Sequence, residues 1–114
     1  FYDNIAELLY SLDLVVMPSI CEGMSLALLE AMACAKPVIA VESGGMTDII
    51  PDNNTGVILP QKSPRRIASV ISKFAQNRAL SVKMGVQGRK RIKAFFNIKS
   101  TVKKIEALYF ESLR

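Results

Sequence analysis

Apolar residues recur along this chain in two rhythms. Ile5, Leu8, Leu9 and Leu12 follow the i, i+3, i+4, i+7 spacing of an amphipathic helix, and Asn4 with Glu7 three residues on resembles a capping signal. Leu14–Met17 is a continuous apolar run stopped by Pro18-Ser19, as expected of a strand buried on both faces. The segment SLALLEAMACA from Ser25 is apolar almost all round and reads as a helix capped by Ser25. Lys36-Pro37 ends it, because the residue before proline disfavours helix. Val38–Val41 is a second buried strand, closed by Ser43-Gly44-Gly45. A short helix is predicted near Thr47–Ile50, a turn at Asp52-Asn53-Asn54, and a short strand at Gly56–Leu59 limited by Pro60.

The remainder is helical. Ser63-Pro64 suits a cap and first turn, and Ile67, Val70, Ile71 and Phe74 share one face. A second helix covers about Ala79–Phe95, with an expected interruption around Gly85 and Gly88. Ile98, Val102, Ile105, Leu108 and Tyr109 stripe a last helix after Asn97. Strand, helix, strand with twenty residues between the first two runs is the spacing of a parallel crossover. The fold class is therefore α/β, part of a doubly wound, Rossmann-like parallel sheet.

Composition narrows the function. At 114 residues and 50% apolar content the chain supports one domain with a real core, and disorder is excluded. No apolar run approaches the ~18 residues needed to span a bilayer, and the start FYDNIAEL carries no signal-peptide pattern. The absence of histidine removes His-based triads, imidazole bases and most zinc and iron sites. Cys21 and Cys34 are too few for a disulfide framework or a four-thiolate metal site. Cys34 reads as core, and a reducing, cytoplasmic compartment is expected. The net charge of +5 hides a split. Residues 1–60 set one cation, Lys36, against eight anions, a net −7; residues 61–114 set fourteen cations against Glu106 and Glu111, a net +12. Such halves are expected to meet different partners.

Candidate chemistry lies where open parallel sheets bind ligands, beyond the carboxyl ends of the strands. Glu22-Gly23-Met24-Ser25 leads directly into a helix N-terminus, where free N–H groups favour an anion such as phosphate. A strand-to-helix loop with one glycine that binds nothing is the plainer alternative. Glu30 is the only ionisable residue between Ser25 and Cys34 on a helix that looks buried on nearly every side. A carboxylate there needs donors. Pairing with Lys36, a simple exposed position, and a ligand with adjacent hydroxyls such as a ribose diol are all open.

EGMSLALLEAMACAKPVIAV resembles the nucleotide-sugar site of the family-four retaining GT-B glycosyltransferases, whose hallmark is two glutamates with seven residues between them, here Glu22 and Glu30. Asp13–Ser19, Gly44-Gly45, Thr55–Pro60, Met84-Gly85, Gly88-Arg89, Phe96 and the closing helix with Tyr109 follow in family order. The resemblance covers nearly the whole chain. It implies the C-terminal domain of a GT-B fold, with residues 1–96 a partial Rossmann-like nucleotide-sugar-binding domain and 97–114 its C-terminal helix. It implies that Glu30 holds the nucleotide ribose and that Glu22, beside the donor sugar, is catalytic. Gly23, Met24, Ser25 and Leu26 would form the loop whose backbone amides meet sugar and diphosphate. It implies no cofactor and no metal, a nucleotide-sugar donor, and a glycan or lipid-linked acceptor of the polysaccharide or lipopolysaccharide type.

Departures from the family pattern are Ala35 where glycine is frequent, Met24 for phenylalanine, and Thr47-Asp48 for proline-glutamate. The family's pyrophosphate-binding Arg and Lys and its acceptor-binding domain would precede residue 1, so the chain reads as the last part of an enzyme. A non-catalytic nucleotide-sugar-binding or interaction module on the same scaffold is the alternative. Arg89-Lys90-Arg91 with Lys93, and Lys99, Lys103 and Lys104, read as a solvated face or as a contact to an anionic membrane, peripheral at the inner face. Nucleic acid is not expected, since no aromatic is interleaved with the charge.

Overall fold

The computed structural model describes residues 2–20 and 23–114. Among the described residues nine elements follow one another: α1 (Ile5–Ser11), β1 (Val15–Met17), α2 (Leu26–Ala33), β2 (Val38–Val41), α3 (Met46–Ile49), β3 (Val57–Leu59), α4 (Pro64–Gln76), α5 (Arg78–Phe95) and α6 (Ile98–Ser112). The strands form a parallel sheet in the order β1-β2-β3. Val15 is level with Val38, and Ile39 with Val57. Every residue of the central β2 is buried, so it loses the alternation that a half-exposed strand would keep.

Side chains leaving β2 in opposite directions build two cores. Val38 and Ala40 pack with Leu28, Ala31 and Met32 of α2, Met46 and Ile49 of α3, and Ile92 near the end of α5. Ile39 packs on the other side with Phe74 of α4 and Met84 of α5. Helix α5 therefore contributes to both layers, Met84 to one and Ile92 to the other.

The strands fall where the apolar runs place them, with Leu14 and Gly56 just outside. Three expectations need correcting. Helix α5 is not interrupted; it runs through Gly85 and Gly88 without a break. The glycines mark close packing instead. A Cβ on Gly85 would overlap the Ala35 carbonyl oxygen, and one on Gly88 would lie 3.1 Å from that of Thr55. Ser63 precedes α4, but its hydroxyl donates to the Pro60 carbonyl and makes no cap bond to the helix. Cys34 is only half buried. The stripe on α6 is helical as its spacing requires, yet none of its residues is buried in this chain.

Candidate donor site

The first loop runs from the end of β1 to Ser25. Cys21 and Glu22 lie outside the described residues, so the expected catalytic glutamate has no structural description here. Beyond it, α2 starts at Leu26. Ser25 is buried and extended, and its hydroxyl accepts from the Leu28 N–H at 3.2 Å. Its carbonyl accepts the first helical bond, from Leu29. This is a side-chain N-cap, and it leaves the N–H groups of Leu26 and Ala27 ahead of the helical ladder. Gly23 is open: a Cβ there would meet no atom within 4 Å. Met24 and Leu26 are 62% and 70% exposed. The loop thus presents backbone donors and two large apolar side chains to its surroundings.

Helix α2 is less buried than its composition suggests. Helix α2 buries Leu28, Ala31 and Met32, but Leu26, Ala27 and Glu30 form an uncovered face. Lys36 is not the partner of Glu30: no ion pair joins the two, and the Lys36 ammonium donates to the Tyr10 carbonyl at 3.0 Å. Among the described residues no cation pairs with Glu30; the single ion pair is Arg78 with Asp13, long and well solvated. Glu30 instead stands at the rim of an apolar hollow of about 230 Å³ lined by Ile5, Ala6, Leu9, Ala33 and Cys34. Of the three readings of this carboxylate, the lysine pair is removed and the exposed position holds. Exposure leaves it available to a ligand.

The second loop, at the end of β2, meets the first. Glu42 continues the ladder by donating its N–H to the Leu59 carbonyl at 2.8 Å. Gly44 has a left-handed backbone with φ 44°. At Gly45 a Cβ would sit 3.5 Å from the Gly23 carbonyl oxygen, so the two loops are in contact through glycine backbones. Ser43 of the second loop is buried, and its hydroxyl has no hydrogen-bond partner among the described residues.

Two positions depart from the sequence pattern. Arg89 and Arg91 read as part of a basic face, but both turn inward and end on main-chain carbonyls. Lys90 and Lys93 remain exposed. The available signal was residue type: arginine, whose planar fork suits directed bonds to carbonyls, stands at the two inward positions and lysine at the two exposed ones.

The family model for glycosyl transferases group 1 matches residues 1–91. The chain belongs to the group 1 glycosyl transferases. A relative from Bacillus anthracis, N-acetyl-alpha-D-glucosaminyl L-malate synthase, is 32% identical over 112 residues, covering 98% of this chain and 29% of its own length. Sucrose-phosphate synthase from Thermosynechococcus elongatus superimposes with a TM-score of 0.86 at 31% identity, over 91% of this chain and 26% of that one. A variant of S. aureus TarM, solved with fondaparinux, alpha-GlcNAc-glycerol and UDP, gives 0.87 at 27% identity, over 96% and 22%. The solved neighbours are GT-B glycosyltransferases, and the parallel sheet of this glycosyl transferase is part of the C-terminal domain of that fold. The chain spans less than a third of the length of these relatives.

Proposed function

We propose that this chain forms the nucleotide-sugar wall of a retaining hexosyltransferase that transfers a sugar from a nucleotide diphosphate to a glycan or lipid-linked acceptor. The observation that carries it is the layout beyond the sheet. A capped helix N-terminus with free N–H groups, an exposed carboxylate one turn further on, and a second glycine loop in contact with the first stand together in a group 1 glycosyl transferase. The amides of the Gly23–Leu26 loop suit the diphosphate. Glu30 suits a ribose diol, since an ionised carboxylate accepts two hydrogen bonds side by side. That TarM was solved with UDP supports a nucleotide as the ligand class.

Glu22 is assigned to the donor sugar. In the proposed step the bond from the anomeric carbon to the diphosphate oxygen breaks and the acceptor oxygen bonds to the same face. The acceptor's proton passes to the leaving diphosphate. A carboxylate nearby favours the positive charge that develops at carbon. No histidine base is needed.

In the full-length protein, Glu30→Gln is expected to weaken nucleoside diphosphate binding by about 1–3 kcal/mol with folding unchanged. Calorimetry that finds equal affinity removes the assignment. Glu22→Ala is expected to lower single-turnover transfer far more than donor affinity. Binding without any transfer by the unmutated protein would instead favour the non-catalytic module.

A further inference from the structure

We propose that Arg89 and Arg91 are positioning residues for the donor loops: from one helix they fasten the far ends of the two helices that those loops enter. The inference rests on the donor-site reading above.

The C-terminus of α2 is closed mainly by its own backbone. Lys36 N–H donates to the Ala31 carbonyl and Ala35 N–H to that of Met32, both at 3.0 Å, while Cys34 N–H takes Glu30. With Ala35 left-handed this is a Schellman closure. It leaves the carbonyl of Ala33, the last residue of the helix. Arg89 Nη1 donates to that oxygen at 2.5 Å, in a partly buried contact. A cation at this end also opposes the negative pole of a helix whose positive pole faces the proposed diphosphate.

Arg91 does the same for α3. Its Nη2 donates to the Asp48 carbonyl at 2.7 Å and its Nε to that of Ile49 at 3.3 Å. The guanidinium lies over the Phe95 ring, 4.4 Å from its centroid, with Phe96 at 5.9 Å. Two directed bonds and a stacked plane hold one orientation, which a lysine ammonium cannot reproduce. Fixing α3 fixes Gly45 at its N-terminus, and Gly45 is the surface on which the Gly23 carbonyl rests. Both loops are thereby referred to α5, which is anchored in both cores.

The experiment uses the full-length protein, with UDP, GDP and ADP titrated in turn by calorimetry. The nucleotide bound best is then titrated into Arg89→Gln, Arg89→Lys, Arg91→Gln, Arg91→Lys and a control, Phe74→Ala. Phe74 lies in the other core, so its loss lowers stability without touching either loop. Hydrogen exchange of peptides spanning 18–26 and 42–49 is followed in parallel. Both glutamine variants are expected to lose at least fivefold in affinity and to exchange faster in these peptides. Lysine is expected to restore most of the affinity at 89, where one bond is made, and little at 91, where two are. Phe74→Ala should keep its affinity below its melting temperature. Unchanged affinity in the arginine variants, or an equal loss in Phe74→Ala, overturns the inference while the donor site stands. Binding of none of the three nucleotides by the unmutated protein removes the donor site and this inference with it.

Discussion

At position 35 the backbone is left-handed, with φ 56°. That conformation costs an alanine about 1–2 kcal/mol, and glycine nothing comparable. Glycine's greater freedom in the unfolded chain offsets about half of that gain. Ala35→Gly is therefore expected to stabilise the fold by about 0.5–1 kcal/mol, seen as a higher urea midpoint with an unchanged slope. A lower midpoint would mean that the methyl group contributes packing that outweighs the strain. Gly85 faces the same residue's carbonyl from α5. Gly85→Ala gains about 1 kcal/mol of helix propensity. It also drives a methyl into that oxygen, so a net loss of about 2 kcal/mol is expected, read from the same urea midpoint. The family resemblance marks position 35 as one where glycine is frequent, but the sequence presents Gly85 as a break, because composition cannot tell a flexible glycine from a closely packed one. Glu30 is legible as an isolated carboxylate on an apolar helix. Its exposure is not, since periodicity does not say which face will lack a covering element.

Among the elements, the strands and most helix starts can be read directly. Asn4 accepts from the Glu7 N–H and Ser25 from that of Leu28, as the cap spacing suggests. The turn before β3 is equally legible as Asp52-Asn53-Asn54, and the structure adds how it works. Asp52 Oδ1 accepts from the N–H groups of Asn54 and Thr55 at 2.9 and 3.0 Å, and from the Thr55 hydroxyl. The two backbone bonds lower the Asp52 pKa, with smaller help from that hydroxyl and from the Arg91 charge. A pKa depressed on folding stabilises the native state above the unfolded value near ~4, and this contribution is lost as pH falls through the folded pKa. Asp52→Asn keeps an acceptor but cannot titrate. It is expected to flatten the stability profile of the full-length protein below about pH 4 relative to the unmutated protein. Identical profiles in denaturant titrations across that range would show that the turn adds no linkage. The ties between elements are hidden from the sequence at this scale. The bonds from Arg89 and Arg91 span 56 and 42–43 residues and depend on the docking of α5.

For the whole molecule, the charge split takes on a different shape once those bonds are known. Two of the four cations in the run 89–93 are turned inside, so the outward basic surface is carried by Lys90 and Lys93, with Lys99, Lys103 and Lys104 exposed on α6. Among the described residues no helix is long and apolar enough to cross a membrane. An anionic bilayer on this side of the chain would therefore meet Lys90, Lys93 and the α6 lysines, at ~1 kcal/mol for each one near the surface and only within a Debye length. The proposal of a lipid-linked acceptor makes such a contact useful, because it would confine the enzyme to the plane of its substrate. Co-sedimentation of the full-length protein with vesicles is then expected to rise with anionic lipid content and to fall at high salt. Replacing Lys90, Lys93, Lys99 and Lys103 by glutamine should reduce it while leaving nucleotide affinity intact. Arg89→Gln and Arg91→Gln should do the reverse, weakening nucleotide binding with little change in sedimentation. Equal sedimentation with neutral and anionic vesicles would return the lysines to an ordinary solvated face. Loss of sedimentation in the arginine variants alone would mean that the basic run meets the bilayer through the side chains now turned inward.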